Sequence, residues 1–318
     1  MGPRILITGA TGFIGGRVAA TAAAHHAPAS VRLLVRRPSA VPPTPPRPGR
    51  PKTETVRGDL RDPAALRRAV EGVDVLIHCA SAIGADEERS RAVNDEGTRA
   101  LVDAAVRAGV GRIVSLGTAS VHGRGPFRAA APGSLPLAPG SVTSRTRAAG
   151  DRHVRAAGGT VLRPHLVYGP GDRQVMPALA RLLEALPGPL DCGGSLHSLI
   201  GVDALAGVLL GAALSPATVP GPYYVGHPEP VPVAELLAAA EELVVRGTDL
   251  PRRPAIDVAE ARVLLAGVPY AGHHLDMLAH DHWFADSRPW QDLGCAPGPP
   301  FRQDVAAHLP WYRDLLEG

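Results

Sequence analysis

The first stretch with evident chemistry is Gly9-Ala10-Thr11-Gly12-Phe13-Ile14-Gly15. It follows the apolar run Arg4-Ile5-Leu6-Ile7-Thr8 and leads into alanine-rich sequence reaching about His26. Three glycines at this spacing, between a strand and a helix, permit a tight turn. They also let backbone N–H groups at a helix N-terminus approach a pyrophosphate. The stretch therefore points to a dinucleotide site. A second strand, Val31–Val35, ends in Arg36-Arg37. An acidic residue there would accept the ribose hydroxyls of NAD, whereas two guanidinium groups offer a fork to a 2′-phosphate. The expected cofactor is NADP(H).

These groups need elements to position them. A third strand near 52–57 ends in Gly58-Asp59-Leu60-Arg61-Asp62, before a helix with Pro63 near its start. Between the second and third strands, residues 38–51 contain seven prolines, which reads as a stiff, partly polyproline II connection. Amphipathic helical patterns cover 86–108 and 144–157. The loop 124–140, rich in proline and alanine, fits either a flexible pocket flank or a passive surface loop. Strands alternating with helices predict an α/β doubly wound parallel sheet of Rossmann type.

Bulk composition narrows the function classes. The net charge of +3 is small, and 4% aromatic content gives no stacking platform, so nucleic acid is not an expected partner. No apolar run has the length of a membrane span, and the amino end shows neither a secretory nor an acylation pattern. Cys79, Cys192 and Cys295 are odd in number and scattered, which suits a reducing cytoplasm. Lys52 is the sole lysine, and the only tyrosines are Tyr168, Tyr223, Tyr224, Tyr270 and Tyr312. The histidines at 273, 274, 280 and 282, with Asp276 and Asp281, match no standard ligand spacing. They read as a polar lip, and no metal is expected.

The order of motifs resembles the short-chain dehydrogenase/reductase superfamily in its extended, epimerase/dehydratase-like branch. The resemblance runs over nearly the whole chain. Thr8–Gly15 matches the cofactor loop, and Val75-Leu76-Ile77-His78-Cys79-Ala80-Ser81 the fourth-strand motif. Val93–Thr98 matches the Asn-x-x-Gly-Thr helix, and Val161–Pro164 with Val167–Gly171 the sixth strand and substrate-loop entry. Leu199–Asp203, Tyr224–Gly226 and Trp311-Tyr312 also fall where the branch has such residues. The resemblance implies an NADP-binding Rossmann domain over 1–165, with 199–226 returning to it. A smaller C-terminal substrate lobe would come from 166–198 and 227–318. It further implies cofactor contacts from Gly9, Thr11, Gly12, Phe13, Ile14, Gly15, Arg36, Arg37, Asp59, Leu60, Cys79, Ala80, Ser81, Arg147, Pro164 and Val167. Substrate contacts are expected from Thr118, Ser120, His165 and Tyr168, and a homodimer is possible through the family's helices.

The family's reaction uses a Ser/Thr, a tyrosine and a lysine four residues after it. Thr118 falls on the first position. The usual spacing then reaches Thr143 where tyrosine is expected, and Arg147 where lysine is expected. An alkyl hydroxyl is a poor proton donor near neutral pH, and general acid catalysis is typically worth about 10²–10⁴-fold. Arg147 can still bind ribose hydroxyls, but it does not reproduce a lysine's geometry. The expected catalytic set is Thr118, Thr143, Arg147 and His122. The proton would come from His122, His165, Tyr168, water through Thr143, or a phenol on the substrate itself.

This pattern resembles the tyrosine-lacking ketoreductases of antibiotic biosynthesis. It implies an NADPH-dependent ketoreductase acting on an aromatic polyketide. Two other readings stay open: a nucleotide-sugar epimerase or dehydratase, and a non-enzymatic NADP-binding regulator or other non-redox reuse of the fold.

Overall fold

The computed structural model describes residues 2–40, 48–244, 254–269 and 271–317. Residues 41–47 of the proline-rich connection, and 245–253 and Tyr270 of the expected substrate lobe, lie outside the described residues.

Strands β1 (Arg4–Thr8), β2 (Ser30–Val35), β3 (Lys52–Arg57), β4 (Val75–His78) and β5 (Arg112–Leu116) form the heart of a parallel sheet. A short strand β6 (Phe127–Ala130) leaves it; β7 (Thr160–Pro164) and the strand Gly221–Val225 complete it. The seven-stranded order is Gly221–Val225, β7, β5, β4, β1, β2, β3, and every pairing is parallel. The order reverses beside β1, which puts a crevice at the carboxyl ends of β1 and β4. The expected doubly wound α/β fold is present.

Helices α1 (Phe13–Ala24), α2 (Pro63–Val70), α3 (Glu87–Arg91), α4 (Thr98–Arg107), α5 (Val142–Ala156), α6 (Met176–Glu184) and α7 (Val202–Leu214) follow in order. The sheet is covered on both faces. Ile5, Ile7, Val18, Ala22 and the apolar side of α7 share one core, whereas Leu6, Leu66, Leu76, Leu101 and Val154 share the other. Successive β1 residues thus feed opposite cores, as the two-residue period of a strand requires. The last turn of α7 holds no basic residue, and Arg112 instead donates to the carbonyls of Ala213 and Ser215. A cation there complements the helix dipole.

The pattern over 86–108 is not one helix. A π-helical turn, Ala92–Gly97, separates α3 from α4. It turns Asn94 so that its Oδ1 accepts from Ala82 N at 2.7 Å, while its Nδ2 donates to Ala82 O and to Thr146 Oγ1. That single amide fixes the segment after β4 to α5, a common use of a π-bulge near a site. The loop 124–140 is also more than a passive connection. Its strand β6 pairs with His282–Phe284 in a second, four-stranded sheet with Leu196–His197 and Val231–Pro232. A separate apolar core, including Met176, Leu183, Leu236, Leu275 and Tyr312, fills the C-terminal part of the molecule.

Candidate active site

A cavity of about 1020 Å³ opens along the carboxyl ends of β1, β2, β4, β5 and β7. Its floor is the glycine turn. Gly9 has φ +76°, and a Cβ there would lie 2.7 Å from Ala80 N and 2.7 Å from Cys79 C. A Cβ at Gly15 would lie 2.2 Å from Gly9 O, so the first and third glycines let the turn, α1 and β4 pack together. Gly12 starts α1 without a side-chain cap, leaving first-turn N–H groups for an anion. These features fit a dinucleotide pyrophosphate.

The adenine end is lined by Arg36, Gly58, Asp59 and Leu60. Asp59 is held by Arg61, whose Nε and Nη2 reach its two carboxylate oxygens at 2.9 and 3.2 Å. The hydrogen bond from Arg61 keeps the Asp59 carboxyl below its ordinary range, against a burial penalty. Arg36 lines the cavity and is exposed; Arg37 is exposed but outside the lining. One arm of the expected arginine fork therefore borders the pocket. Cys79, Ala80 and Ser81 line the middle, and burial pushes the Cys79 thiol up to about 12, so it is not a nucleophile.

The ends of β1 and β4 are locked by a buried chain. Thr8 Oγ1 meets His78 Nδ1 at 2.7 Å, and His78 Nε2 meets Thr98 Oγ1 at 3.0 Å. Burial, with the nearby Arg147 charge, lowers His78 to about 4, so the ring is neutral at pH 7.

The reactive end is built around α5. Ser141 caps this helix: its Oγ accepts from Ser144 N at 3.1 Å, and Ser144 Oγ accepts from Ser141 N at 3.0 Å. This capping box sets the helix start, and hence the face shared by positions 143 and 147. Arg147 lines the cavity and donates through Nη2 to the carbonyls of Leu116 and Gly117 at 2.6 and 2.9 Å. It thereby staples α5 to the end of β5. Gly117 is needed there, because a Cβ would lie 2.5 Å from Val161 Cγ1. Thr118 follows, also in the lining. Its Oγ1 accepts from Ser120 N at 3.2 Å and lies 2.9 Å from Ser120 Oγ. With Ser120 Oγ as the donor of that pair, the Thr118 hydroxyl proton is left for an incoming oxygen.

The other expected reactive groups are placed differently. Thr143 lies on the first turn of α5 but outside the cavity lining; its carbonyl accepts from Thr146 Oγ1. Ser120 is exposed beside Thr118, also outside the lining. His122 is buried behind the wall. Its Nδ1 donates to Pro136 O at 2.8 Å, and its Nε2 accepts from Tyr224 Oη at 2.8 Å. Both ring nitrogens are thus engaged away from the cavity, and burial lowers its pKa.

Tyr168 is buried too, donating to Asp304 Oδ2 at 2.8 Å, and burial with that carboxylate raises its pKa. Among the described residues, the lining includes no tyrosine and no lysine. Pro164, His165 and Val167 do line it.

Several contributors carry no motif-level signal. Arg17, Arg89, Arg173 and Gln174 line the cavity. Asp172 accepts from the backbone N–H groups of Gln174, Val175 and Met176, and Tyr312 donates to it at 3.0 Å. Gly171, with φ +103°, lies against Phe13, where a Cβ would be 2.7 Å from Cδ2. This loop thus closes onto the cofactor turn. Behind Arg147 lies a buried polar row: Asp151 accepts from Arg163 Nε at 3.1 Å, and Arg163 Nη1 is 3.4 Å from His122 Nε2. Burial raises the Asp151 pKa, opposed by the charges of Arg163 and Arg147.

Residues 5–226 match the model of the NAD dependent epimerase/dehydratase family. The 2-alkyl-3-oxoalkanoate reductase of Stenotrophomonas maltophilia is 31% identical over 200 residues. That match covers 57% of this chain and 60% of the reductase. A Mycobacterium tuberculosis protein, 3 beta-hydroxysteroid dehydrogenase/Delta 5-->4-isomerase, is 28% identical, covering 99% of this chain and 91% of its own length. Among solved structures, the Bordetella bronchiseptica enzyme WbmH in complex with NAD+ matches with TM-score 0.74 and 20% identity, covering 99% of each chain. The dTDP-glucose 4,6-dehydratase DesIV of Streptomyces venezuelae matches with TM-score 0.75 and 23% identity, covering 98% of this chain and 97% of its own. At these identities the structures establish the shared fold. Among the described residues, no helix is long and apolar enough to cross a membrane.

Proposed function

The chain belongs to the NAD dependent epimerase/dehydratase family, and from that premise we propose that it is an NADPH-dependent ketoreductase. The substrate in this reading is a ketone of a secondary metabolite, of the aromatic polyketide class. One observation carries the proposal. A single cavity joins the α1 N-terminus and Arg36 to Thr118 and Arg147, and among the described residues its lining holds no tyrosine or lysine. The named activities of the two relatives, a reductase and a hydroxysteroid dehydrogenase, support redox chemistry at a carbonyl.

The bound nicotinamide would supply a hydride to the carbonyl carbon. Thr118 Oγ1 donates a hydrogen bond to the carbonyl oxygen, which can only accept, while Thr118 itself accepts from Ser120 N. Arg147 places positive charge at the same end, where negative charge develops on that oxygen. Among the described residues no phenol lines the cavity to protonate it, and in this reading the proton comes from water or from a hydroxyl of the substrate beside the ketone. A nucleotide-sugar epimerase or dehydratase would need an efficient base for reversible oxidation, and Thr143 offers none.

Hydride tracing tests this reading. The protein would be incubated with NADPH deuterated on one C4 face or the other and a panel of hydroxylated aromatic ketones. The expected result is a reduced product carrying deuterium from one face only. Demonstrable NADPH binding without label transfer to any ketone would replace it with the non-redox reading.

A further inference from the structure

Three imidazoles from distant parts of the chain converge next to the cavity. His165 follows β7, His197 ends the strand Leu196–His197, and His282 begins the strand His282–Phe284. His197 and His282 are register partners in the second sheet. The ring centroids lie 5.9 Å (His165–His197), 5.3 Å (His165–His282) and 5.9 Å (His197–His282) apart. One ring nitrogen from each lies within 4.8 Å of those of the other two. Imidazoles bound to one zinc ion at about 2.0–2.1 Å have centroids roughly 5–5.5 Å apart, close to the spacing here. The three ring planes are near-parallel, at 12°, 6° and 7° to one another, so the rings turn about their side-chain bonds to aim their lone pairs at one ion.

The outer partners of these rings set which nitrogens carry lone pairs. Ser195 Oγ donates to the carbonyl of Leu278, so it can only accept from His197 Nε2, 3.1 Å away. His197 therefore carries its proton on Nε2 and a lone pair on Nδ1. That Nδ1 is buried and has no hydrogen-bond partner, in a residue 0% exposed. His282 Nδ1 lies 2.9 Å from His280 O, and a carbonyl can only accept, so the lone pair is on Nε2. At present it takes the N–H of Gly125 at 3.1 Å. His165 Nε2 is also buried without a partner. Two orphaned buried nitrogens in one cluster are costly unless something binds them. The pattern of one ring nitrogen held by a carbonyl or hydroxyl, with the other bare, is that of metal-ligating histidines.

We propose that His165, His197 and His282 form a binding site for one divalent transition-metal ion of the zinc class. The ion ties the end of β7 to the second sheet, and Gly125 N gives up its hydrogen bond to His282 when the ion binds. His165 also lines the large cavity, so the site adjoins the reactive end. The inference stands independently of the ketoreductase reading, and its test uses no substrate.

The test is metal titration of the untagged, chelator-treated full chain with Zn²⁺, and with Co²⁺ as a spectroscopic probe. The expected result is one equivalent bound, tetrahedral-type visible cobalt bands and a raised Tm. His165→Gln and His282→Gln should each weaken binding at least tenfold while the apo chains stay folded by circular dichroism. The double variant His273→Ala/His274→Ala should bind as the parent does. No stoichiometric binding, or loss of binding in the His273/His274 variant with retention in the His165 and His282 variants, would overturn the site. Where a variant fails to fold, the parent's cobalt spectrum and stoichiometry alone decide the matter.

Discussion

The two ends of the large cavity are built from different materials. The cofactor end is mostly backbone: the turn at Gly9–Gly15, the open N-terminus of α1, and β4 approaching where no Cβ would fit. The reactive end is made of side chains that support one another. Arg147 braces Leu116 and Gly117, with Asp151, Arg163, His122 and Tyr224 arrayed behind it. A backbone cradle tolerates almost any residue whose Cβ fits. A buried polar row fails if one member is lost, because the remaining partner keeps its desolvation cost. The first end therefore preserves a family signature, whereas the second can hold a new set of groups only if the set is mutually satisfied.

Five experiments sharpen or break that contrast. Asp151→Ala should have the largest effect, about 3–5 kcal/mol of lost stability in denaturant unfolding. It would strand Arg163, whose side chain is 4% exposed; a loss below about 1 kcal/mol would mean the row is not an energetic unit. Acid stability should follow the buried histidines, His78 together with His165 and His197, all of which burial holds below their ordinary range. The folded value of about 4 for His78 lies below the ordinary 6.5, so the unfolded chain takes up the proton first. Stability is complete above about pH 6.5 and falls between there and about pH 4, with a His78 share of up to roughly 3 kcal/mol. His78→Gln should remove the His78 share of that limb and leave the share of His165 and His197, and an unchanged limb would assign it wholly to other groups.

Gly9→Ala forces a side chain into φ +76° and into Ala80 N. A cost of about 1–3 kcal/mol should appear as a roughly tenfold to hundredfold weaker NADPH affinity by fluorescence titration. Arg36→Ala should weaken NADPH about tenfold and leave NADH unchanged, since only NADPH carries the 2′-phosphate. Equal NADPH affinity in parent and variant would remove the argument for NADP. The smallest effect is expected of His122→Gln, under about threefold on the rate of the chemical step, with the pH profile kept. A proton donor would instead cost about 10²–10⁴-fold.

The cofactor end was largely legible in the sequence because its determinants are local. Glycine spacing, an apolar run before it and a helix after it define a turn within about fifteen residues of chain. The same holds for α5, whose Ser141–Ser144 capping box can be read from adjacent letters. The helix over 86–108 was read with its break missing, because the π-helical turn answers to Asn94 holding Ala82, a contact the local pattern does not encode. Among the proposed reactive groups, Thr118 and Arg147 line the cavity, whereas Thr143, His122 and Tyr168 do not. Sequence position brought all of them near the site. The way His122 and Tyr168 face depended on Pro136, Tyr224 and Asp304, none of which is a neighbour in the chain.

By itself, the sequence determined a parallel α/β sheet and a dinucleotide turn, and it puts Thr143 and Arg147 at the spacing where the resemblance leads one to expect a tyrosine and a lysine. Those properties rest on period, spacing and residue type, which are written along the chain. Only the tertiary structure decided that Asp151 pairs with Arg163, that Tyr312 holds the Asp172 loop over Phe13, and that His165, His197 and His282 converge. The last two join residues far apart in sequence, and the first joins one helix to the strand that follows it. Such contacts exist only after the strands have ordered and the two sheets have docked.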